Sequence, residues 1–202
     1  MRPCKCVKCA DFPCSDVNKD RYSVPDIEIE PEKIRAIMIS EAPPQVAGDY
    51  FYEQSNPFYA QTTVQAFNDA GLRVSSMEDV LDLGVYVTTA IKCAKTAYSI
   101  SLETIENCCF RILQKEMDLF PRIKAVLLMG DTAIKAMNYV ARKNTGKRII
   151  PSGSTYMIRK DRYFYKKIRV FPSYLQTGKS YLIEKSKRKM IAEDIKAALE
   201  LP

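Results

Sequence analysis

The chain contains no histidine, so none of its sites can use an imidazole as a hydrogen-bond donor. It also has no run of about 18 apolar residues, which excludes a predicted membrane-spanning helix. Its first residues, MRPCKCVKC, lack the apolar core of a secretory signal peptide. We therefore expect a cytoplasmic protein without a membrane partner.

Acidic residues are scarce in one part of the chain. Between residues 142 and 189, fifteen residues are basic and only Asp161 and Glu184 are acidic, although the whole chain has a net charge of just +7. Aromatic residues interleave the basic ones, namely Tyr156, Tyr163, Phe164, Tyr165, Tyr174 and Tyr181. A one-sided basic surface with aromatic side chains is typical of a protein that binds a polyanion, most often nucleic acid.

Cysteine, by contrast, is plentiful. The seven cysteines are Cys4, Cys6, Cys9, Cys14, Cys93, Cys108 and Cys109. In a reducing cytosol they are not expected to form a disulfide framework, whereas closely spaced thiolates bind zinc or iron–sulfur clusters. Residues 1–30 show neither a helical nor a strand period. We therefore expect a metal-binding segment, 1–30, that packs on a core domain formed by residues 31–202.

The remaining sequence has the composition of a globular protein, with 47% hydrophobic and 27% charged residues. Apolar runs predict four strands, and periodic segments between them predict helices. The strands are Ile34–Ile39, Val85–Ile91, Ile123–Met129 and Ile168–Phe171, and a hairpin is expected from 156–159 and 163–165. The helices cover 60–70, 101–120, 132–141 and 184–199.

This alternation predicts an α/β three-layer sandwich, in which helices flank a central, mostly parallel four-stranded sheet. In such sheets ligands bind at the carboxyl ends of the strands. That edge is expected to carry Glu41, Thr89, Gly130 and the Phe171-Pro172-Ser173 segment.

The order of short motifs resembles the uracil-DNA glycosylase superfamily, most closely its iron–sulfur (family 4 and 5 type) branch. The motifs run along nearly the whole chain: Cys6-Val-Lys-Cys9, Ser40-Glu41-Ala42-Pro43-Pro44, Pro57-Phe58, Lys92-Cys93, Ile105-Glu-Asn-Cys108, Met129-Gly130-Asp131-Thr132-Ala133 and Phe171-Pro172-Ser173. The resemblance implies the fold of that superfamily, a DNA partner and hydrolysis of the N-glycosidic bond of a damaged base that is flipped out of the stack. It further implies a monomer that associates with the nucleoid and needs no small-molecule cofactor apart from the cluster.

The same resemblance implies a [4Fe–4S] cluster on Cys6, Cys9, Cys93 and one of Cys108 or Cys109. Ile105 favours Cys108 as the fourth ligand, whereas the apolar phase of Leu113, Met117 and Phe120 favours Cys109. The alternative is a zinc site formed by the N-terminal cysteines alone, namely Cys4, Cys6, Cys9 and Cys14.

The resemblance also assigns roles to individual residues. Glu41 matches the acidic group that assists water attack, and Phe58 matches the aromatic residue that stacks on the base. Thr89, Phe171 and Ser173 occupy base-binding positions. The polar segment after the last strand would enter the minor groove, with Tyr174 and Leu175 as wedges and Lys179 on a phosphate.

Two positions depart from the family pattern. Phe171 replaces the histidine that stabilises charge on the departing base, and loss of one such donor costs about 3 kcal/mol of transition-state stabilisation. Thr89 replaces an asparagine, and a hydroxyl cannot supply the donor-and-acceptor pair of an amide. Two hypotheses follow: a glycosylase-like enzyme for uracil or another deaminated base, or an inactive iron–sulfur DNA-binding protein with the same fold.

Overall fold

A computed structural model describes residues 1–54 and 57–201 of the chain. Within these residues the strands are β1 (Val17–Asn18), β2 (Ala36–Ser40), β3 (Val85–Thr89), β4 (Ala94–Lys95), β5 (Ala125–Met129), β6 (Tyr163–Tyr165) and β7 (Ile168–Ser173). The helices are α1 (Pro3–Cys6), α2 (Phe58–Asp69), α3 (Met77–Asp82), α4 (Leu102–Cys108), α5 (Gln114–Met117), α6 (Asp131–Thr145), α7 (Thr155–Ile158), α8 (Lys179–Ile183) and α9 (Lys185–Leu199). A π-helical turn, Cys109–Leu113, joins α4 to α5.

The central sheet has the order β3-β2-β5-β7-β6 in the described part of the chain. The four predicted strands pair in parallel, which confirms the predicted α/β architecture. A fifth strand, β6, adds an antiparallel edge by pairing with β7. The sheet is therefore one strand wider than the sequence predicted.

Both faces of the sheet are buried, because β2, β3 and β5 are buried at every successive position. One face packs against α4, α5 and α6 through Ile37, Tyr86 and Val126. The other face packs against α2, α3 and α9 through Met38, Val87 and Leu127. The three predicted layers are thus present.

The hairpin predicted from 156–159 and 163–165 is wrong. Residues 155–158 form α7, and β6 pairs with β7 instead. The segment does not enter the sheet because it docks on α9, where Arg159 Nη2 donates to the Met190 carbonyl at 2.9 Å. Tyr156 and Met157 are exposed, so their apolar character does not reflect burial.

The N-terminal segment lies against the core. Val17 and Ile29 join the main cluster, while Val7 and Val24 pack on Ile112 of the π turn. A two-residue ribbon pairs β1 antiparallel to β4 and ties the segment to the chain that follows β3. Among the described residues, no helix is long and apolar enough to cross a bilayer.

Candidate functional site

The four parallel strands end at one level of the sheet. Ser40 of β2 is paired with Thr89 of β3, and Met129 of β5 is paired with Ser173 of β7. The chain leaves each strand at this edge, so side chains from four separate segments meet there. This is the edge at which open α/β sheets bind ligands.

Glu41 is the first residue beyond β2, and both of its carboxylate oxygens have a partner. Lys95 Nζ lies 3.1 Å from Oε2, and the Thr132 hydroxyl donates to Oε1 at 3.3 Å. The Glu41 side chain remains 21% exposed. The carboxylate is therefore oriented by two bonds and still accessible to water.

Gly130 makes room for this carboxylate. Its φ of +100° is a conformation that favours glycine, and a Cβ built there would lie 3.3 Å from Glu41 Cγ and Oε1. Gly130 is also the N-cap of α6 and thereby sets the position of Thr132. The glycine in the Gly130-Asp131-Thr132 turn therefore leaves space for the Glu41 side chain and places its partner Thr132.

Thr89 ends β3 with a fully buried side chain. The Tyr50 hydroxyl is buried near Thr88 and Thr89, and this burial raises the pKa of Tyr50. Neither Tyr50 OH nor Thr89 Oγ1 has a hydrogen-bond partner within normal distance among the described residues. The two hydroxyls are close enough to interact with each other, and they add polar character to the buried end of β3.

The segment after β7 folds back over the end of the sheet. Gln176 is fully buried, and its Oε1 accepts a hydrogen bond from Ser40 Oγ at 2.9 Å. Thr177 is also buried, next to the Tyr59 hydroxyl. An amide side chain therefore reaches the strand edge beside Ser40, the residue that precedes Glu41.

Phe171 and Ser173 do not join Glu41. Phe171 lies two positions inside the strand end, is only 8% exposed, and is covered by the Arg169 guanidinium 4.6 Å from its ring centroid. Ser173 Oγ donates to Asp194 Oδ2 of α9 at 2.6 Å. Both side chains face the α9 layer, so the structure uses this motif to attach β7 to α9.

Phe58 is half-buried at the first residue of α2, where its N–H donates to Asp49 Oδ1 at 3.4 Å. The adjacent Tyr59 lies within electrostatic reach of Glu41. Burial raises the pKa of the Tyr59 hydroxyl, and the charges of Glu41 and Asp49 add to this effect. Tyr59 is therefore the aromatic residue at the start of α2 that lies close to Glu41.

Tyr174 and Leu175 are half-buried and line a cavity of about 200 Å³ beside Gly130 and Lys187. Lys179 is exposed at the start of α8. Other apolar side chains of α7 and α8 are more exposed than Tyr174 and Leu175. Exposed fractions reach 60% for Met157 of α7 and 76% for Ile183 of α8. Lysines accompany this surface, with Lys187 over the Tyr174 ring and Lys160 over the Tyr156 ring.

Four thiols line a second cavity, which also borders Lys92. They are Cys9, Cys14, Cys93 and Cys108. Burial raises the pKa of Cys93 to about 11, and the neighbouring Cys9 and Cys14 add to the rise. Burial likewise raises the pKa of Cys108 to about 12, with Cys93 and Cys14 adding to it. Thiols from three distant stretches of sequence are thus mutual neighbours.

Cys6 and Cys4, two of the cysteines expected at a metal, do not line this cavity. The exposed Sγ of Cys6 turns back along α1, 3.5 Å from the Arg2 carbonyl and 3.7 Å from Met1 Sδ. Cys14 lines the cavity, because residues 9–14 loop around it with Phe12 in a left-handed conformation, φ +41°. Cys4 Sγ donates to Asp26 Oδ1 at 3.1 Å.

Cys108 and Cys109 lie in different surroundings at the start of the π turn. Cys108 lines the cavity and its Sγ accepts the Lys92 N–H at 3.3 Å, whereas Cys109 is fully buried in the main core. Consecutive residues of a helix point about 100° apart, so the two side chains cannot face the same side. The structure thus turns Cys108, and not Cys109, toward the other three thiols.

These donors suit a group larger than one ion. Within residues 1–54 and 57–201, no three Cys, Asp or Glu side chains converge closely enough to hold a single metal ion. In a [4Fe–4S] cluster each thiolate binds a different iron, so four thiols around a shared cavity need not converge on one point. The chemistry of the donor set therefore fits an iron–sulfur cluster.

A buried ion pair lies between the thiols and the strand edge. Lys92 Nζ is 2.5 Å from Glu116 Oε2, and both side chains are 1% exposed. Lys92 also donates to the Thr89 carbonyl at 2.6 Å, while Glu116 Oε1 accepts from the Tyr86 hydroxyl at 2.6 Å. The pair fixes the end of β3, from which both Thr89 and Cys93 are positioned.

Sequence reasoning missed Lys95, Thr132 and the Lys92–Glu116 pair. Thr132 stands out in the sequence only as a member of the motif that begins at Met129, and Lys95 follows Cys93 without any pattern of its own. Burial of a lysine cannot be recognised from the lysine itself. The apolar stretch that precedes Lys92 is the one feature of the sequence that could have indicated its burial. Each of these contacts joins residues that are at least 24 positions apart.

A comparison with protein families matches residues 28–196 to the uracil DNA glycosylase superfamily. The match covers most of the chain, including Glu41, Thr89 and Lys95, and begins after Cys9 and Cys14. No curated protein matches the chain. The three-layer fold and the polar strand edge agree with this match. The chain therefore belongs to the uracil DNA glycosylase superfamily.

Proposed function

We propose that this protein is a DNA glycosylase that removes uracil or another deaminated base from DNA. The observation that carries the proposal is Glu41, an oriented and partly exposed carboxylate at the ligand-binding edge of a fold whose superfamily acts on DNA. The bond broken is the N-glycosidic bond, and the bond formed joins C1′ to a water oxygen. The products are the free base and an abasic site.

Glu41 acts on water in this proposal. Its carboxylate accepts the proton of the attacking water and stabilises positive charge that develops on the sugar. Because Lys95 and Thr132 hold it in place, little reorganisation is needed during the reaction. Phe58 or its neighbour Tyr59 supplies the aromatic surface for the flipped base.

Base recognition differs from the pattern expected of the family. Phe171 offers no hydrogen bond and is turned toward α9, so charge on the departing base needs another donor. The neighbouring Thr89 and Tyr50 hydroxyls and the Gln176 amide are further polar groups near the strand edge. We infer that these hydroxyl and amide groups determine which base is removed, and that this base is not restricted to uracil.

We also propose that Cys9, Cys14, Cys93 and Cys108 hold a [4Fe–4S] cluster. When bound, the cluster supplies structural cross-linking between the N-terminal segment and the core. The exposed apolar and basic surface around α7 and α8 then faces DNA, with Tyr174, Leu175 and Lys179 at its centre.

The test is an activity panel with the purified protein. Duplex and single-stranded oligonucleotides carrying uracil, hypoxanthine or xanthine are incubated with it, and abasic sites are then cleaved and counted. Glu41→Gln should lower the rate by about a hundredfold or more while DNA affinity is unchanged. Glu32→Gln, which alters an exposed carboxylate paired with Arg122, is the matched control and should retain full activity.

A second function is favoured by the missing donor at Phe171. Absence of product from every lesion, together with tight and salt-sensitive DNA binding, would contradict the glycosylase proposal. That result would instead identify an inactive DNA-binding member of the superfamily.

A further inference from the structure

We propose that Lys95 is a positioning residue for Glu41. We further propose that the cysteine-rich N-terminal segment holds Lys95 at the site through the pairing of β1 with β4. This inference rests on the proposed glycosylase function and assigns that site a second essential side chain. It also gives the N-terminal segment a task in the reaction, beyond holding the fold together.

The backbone of Lys95 lies close in sequence and in space to residues that follow the cavity thiols. It lies two residues after Cys93, in β4, and its backbone pairs with Val17 of β1, three residues after Cys14. Both strands of this ribbon therefore start from cysteines that line the thiol cavity. The position of the Lys95 backbone depends on how the segment is held.

Asp16 secures the ribbon from the N-terminal side. Its backbone carbonyl accepts the Thr96 hydroxyl at 2.8 Å, and its carboxylate accepts the Ser101 N–H at 2.7 Å and the Thr104 hydroxyl. Each of these bonds joins residues at least 80 positions apart. The stretch that follows Lys95 is thereby held by Asp16 at Thr96, Ser101 and Thr104.

Lys95 fixes the orientation of the carboxylate. Its ammonium group holds Oε2 of Glu41, while Thr132 holds Oε1. With only one of these bonds the carboxylate can rotate about its final torsion, because such torsions have broad minima. The Lys95 side chain is itself 34% exposed, so the contact is open to solvent and to a bound substrate.

The consequence is a mechanical connection between the thiol cavity and the catalytic carboxylate. A change that loosens the segment withdraws Lys95 from Glu41 without altering any residue of the strand edge. Misplacement of a reacting group by about 1 Å lowers rates by about a hundredfold.

The experiment measures kcat and KM on the lesion that the wild-type protein cleaves best. Lys95→Met should lower kcat by about a hundredfold with little change in KM or DNA affinity. Lys95→Arg keeps the cation and should recover most of the rate. Lys33→Met removes a lysine that forms an exposed ion pair with Glu30, and it serves as the matched control with an unchanged rate.

The decisive measurement is the double variant. If Lys95 acts through Glu41, Lys95→Met should cause no further loss in a Glu41→Gln background, because residues that work as a unit are not additive. Asp16→Asn should lower kcat in the wild type and have no effect in the Lys95→Met variant.

Three results would overturn the inference. A wild-type protein without activity would contradict the proposed function and this role with it. An active wild type whose Lys95→Met variant keeps its kcat would contradict the positioning role alone. A covalent DNA adduct trapped by borohydride in the wild type and absent from Lys95→Met would identify Lys95 as a nucleophile instead.

Discussion

Lys92 and Glu116 form an ion pair with almost no exposure to solvent, and this makes each dependent on the other. Removing one partner of a buried pair leaves an uncompensated charge, which costs about 3–5 kcal/mol, whereas replacing both costs less. The pair also holds the Thr89 carbonyl and the Tyr86 hydroxyl. Its loss should therefore affect the end of β3 first.

We expect Lys92→Met and Glu116→Gln each to lower the free energy of unfolding by about 3–5 kcal/mol. The double variant should lose less than the sum of the two, because no unpaired charge remains. Urea denaturation of the three variants measures this. Single variants within about 1 kcal/mol of the wild type would show that the pair is not buried in solution.

Gly130 offers a second test at the level of one residue. Gly130→Ala should destabilise the protein by about 1–3 kcal/mol through its backbone conformation, and should also lower glycosylase activity because the new Cβ displaces Glu41. Gly146 provides the control. It too has a positive φ, +75°, but a Cβ there meets nothing within 4 Å.

Gly146→Ala should therefore lose stability and keep its activity. Rates for both variants are measured at a temperature well below their unfolding midpoints. Equal activity in the two variants would contradict the close packing of Gly130 against Glu41.

At the scale of elements, the direction of each cysteine side chain determines whether it reaches the cavity. Cys108 and Cys109 are consecutive helical residues, and their side chains point into different surroundings. The loop at residues 9–14 likewise brings Cys9 and Cys14 to the cavity, which Cys6 does not line. Single cysteine substitutions separate these alternatives.

We expect Cys9→Ser, Cys14→Ser, Cys93→Ser and Cys108→Ser to abolish the brown colour and the bound iron and sulfide of the purified protein. Cys6→Ser and Cys109→Ala are the matched controls and should retain both. Iron analysis and visible absorption of anaerobically purified variants provide the measurement. Full iron content in Cys14→Ser together with loss in Cys6→Ser would contradict the proposed ligand set.

The sequence predicted most of the elements correctly for a simple reason. Strands buried on both faces read as continuous apolar runs, and β2, β3, β5 and β7 largely do so. Ser101, the first residue of the predicted helix 101–120, caps α4, its hydroxyl oxygen accepting the Thr104 N–H at 3.2 Å. These features depend on neighbours in sequence and on burial.

Other features depend on contacts that the sequence does not encode locally. Residues 155–158 form a helix because Arg159 docks on α9, and no periodicity reports that contact. The π turn is equally hidden from the sequence, because the core residues Ile105, Cys109 and Leu113 keep the four-residue spacing of a regular α-helix.

The candidate site was predictable only in part for the same reason. Glu41 and Thr89 follow directly from the ends of apolar strands. The orientation of Phe171 and Ser173 toward α9 depends on the side of the sheet that each faces, which follows from strand register rather than from a motif. Cys14 lines the thiol cavity, and Cys6 does not, because of a loop conformation that spacing alone does not determine.

At the scale of the whole molecule, charge is distributed unevenly. The basic stretch at residues 142–189, about a quarter of the chain, supplies β6, β7, α7, α8 and the start of α9, which form one side of the strand edge. Exposed apolar residues such as Ile183 and Met157 lie within this surface. The arrangement suits a protein that binds phosphates while inserting apolar side chains between bases.

We expect DNA affinity to fall linearly with salt on a double-logarithmic plot. Replacing Lys160 or Lys187 by glutamine should weaken binding and reduce the slope by about 0.9 for each phosphate that the protein no longer neutralises. Lys33→Gln, on an exposed lysine outside this basic region, is the control. Fluorescence anisotropy at several salt concentrations measures the slopes, and equal slopes in all variants would argue against this face as the DNA-binding surface.

The spacing of the four cavity thiols along the chain also has a consequence for biosynthesis. Cys9 and Cys14 leave the ribosome about a hundred residues before Cys108, which at ordinary rates of translation is on the order of 5 to 20 seconds. During that interval two thiols have no partners and face the oxidants of the cell, so oxidative stress during synthesis should damage this protein more than the same stress applied to the finished molecule.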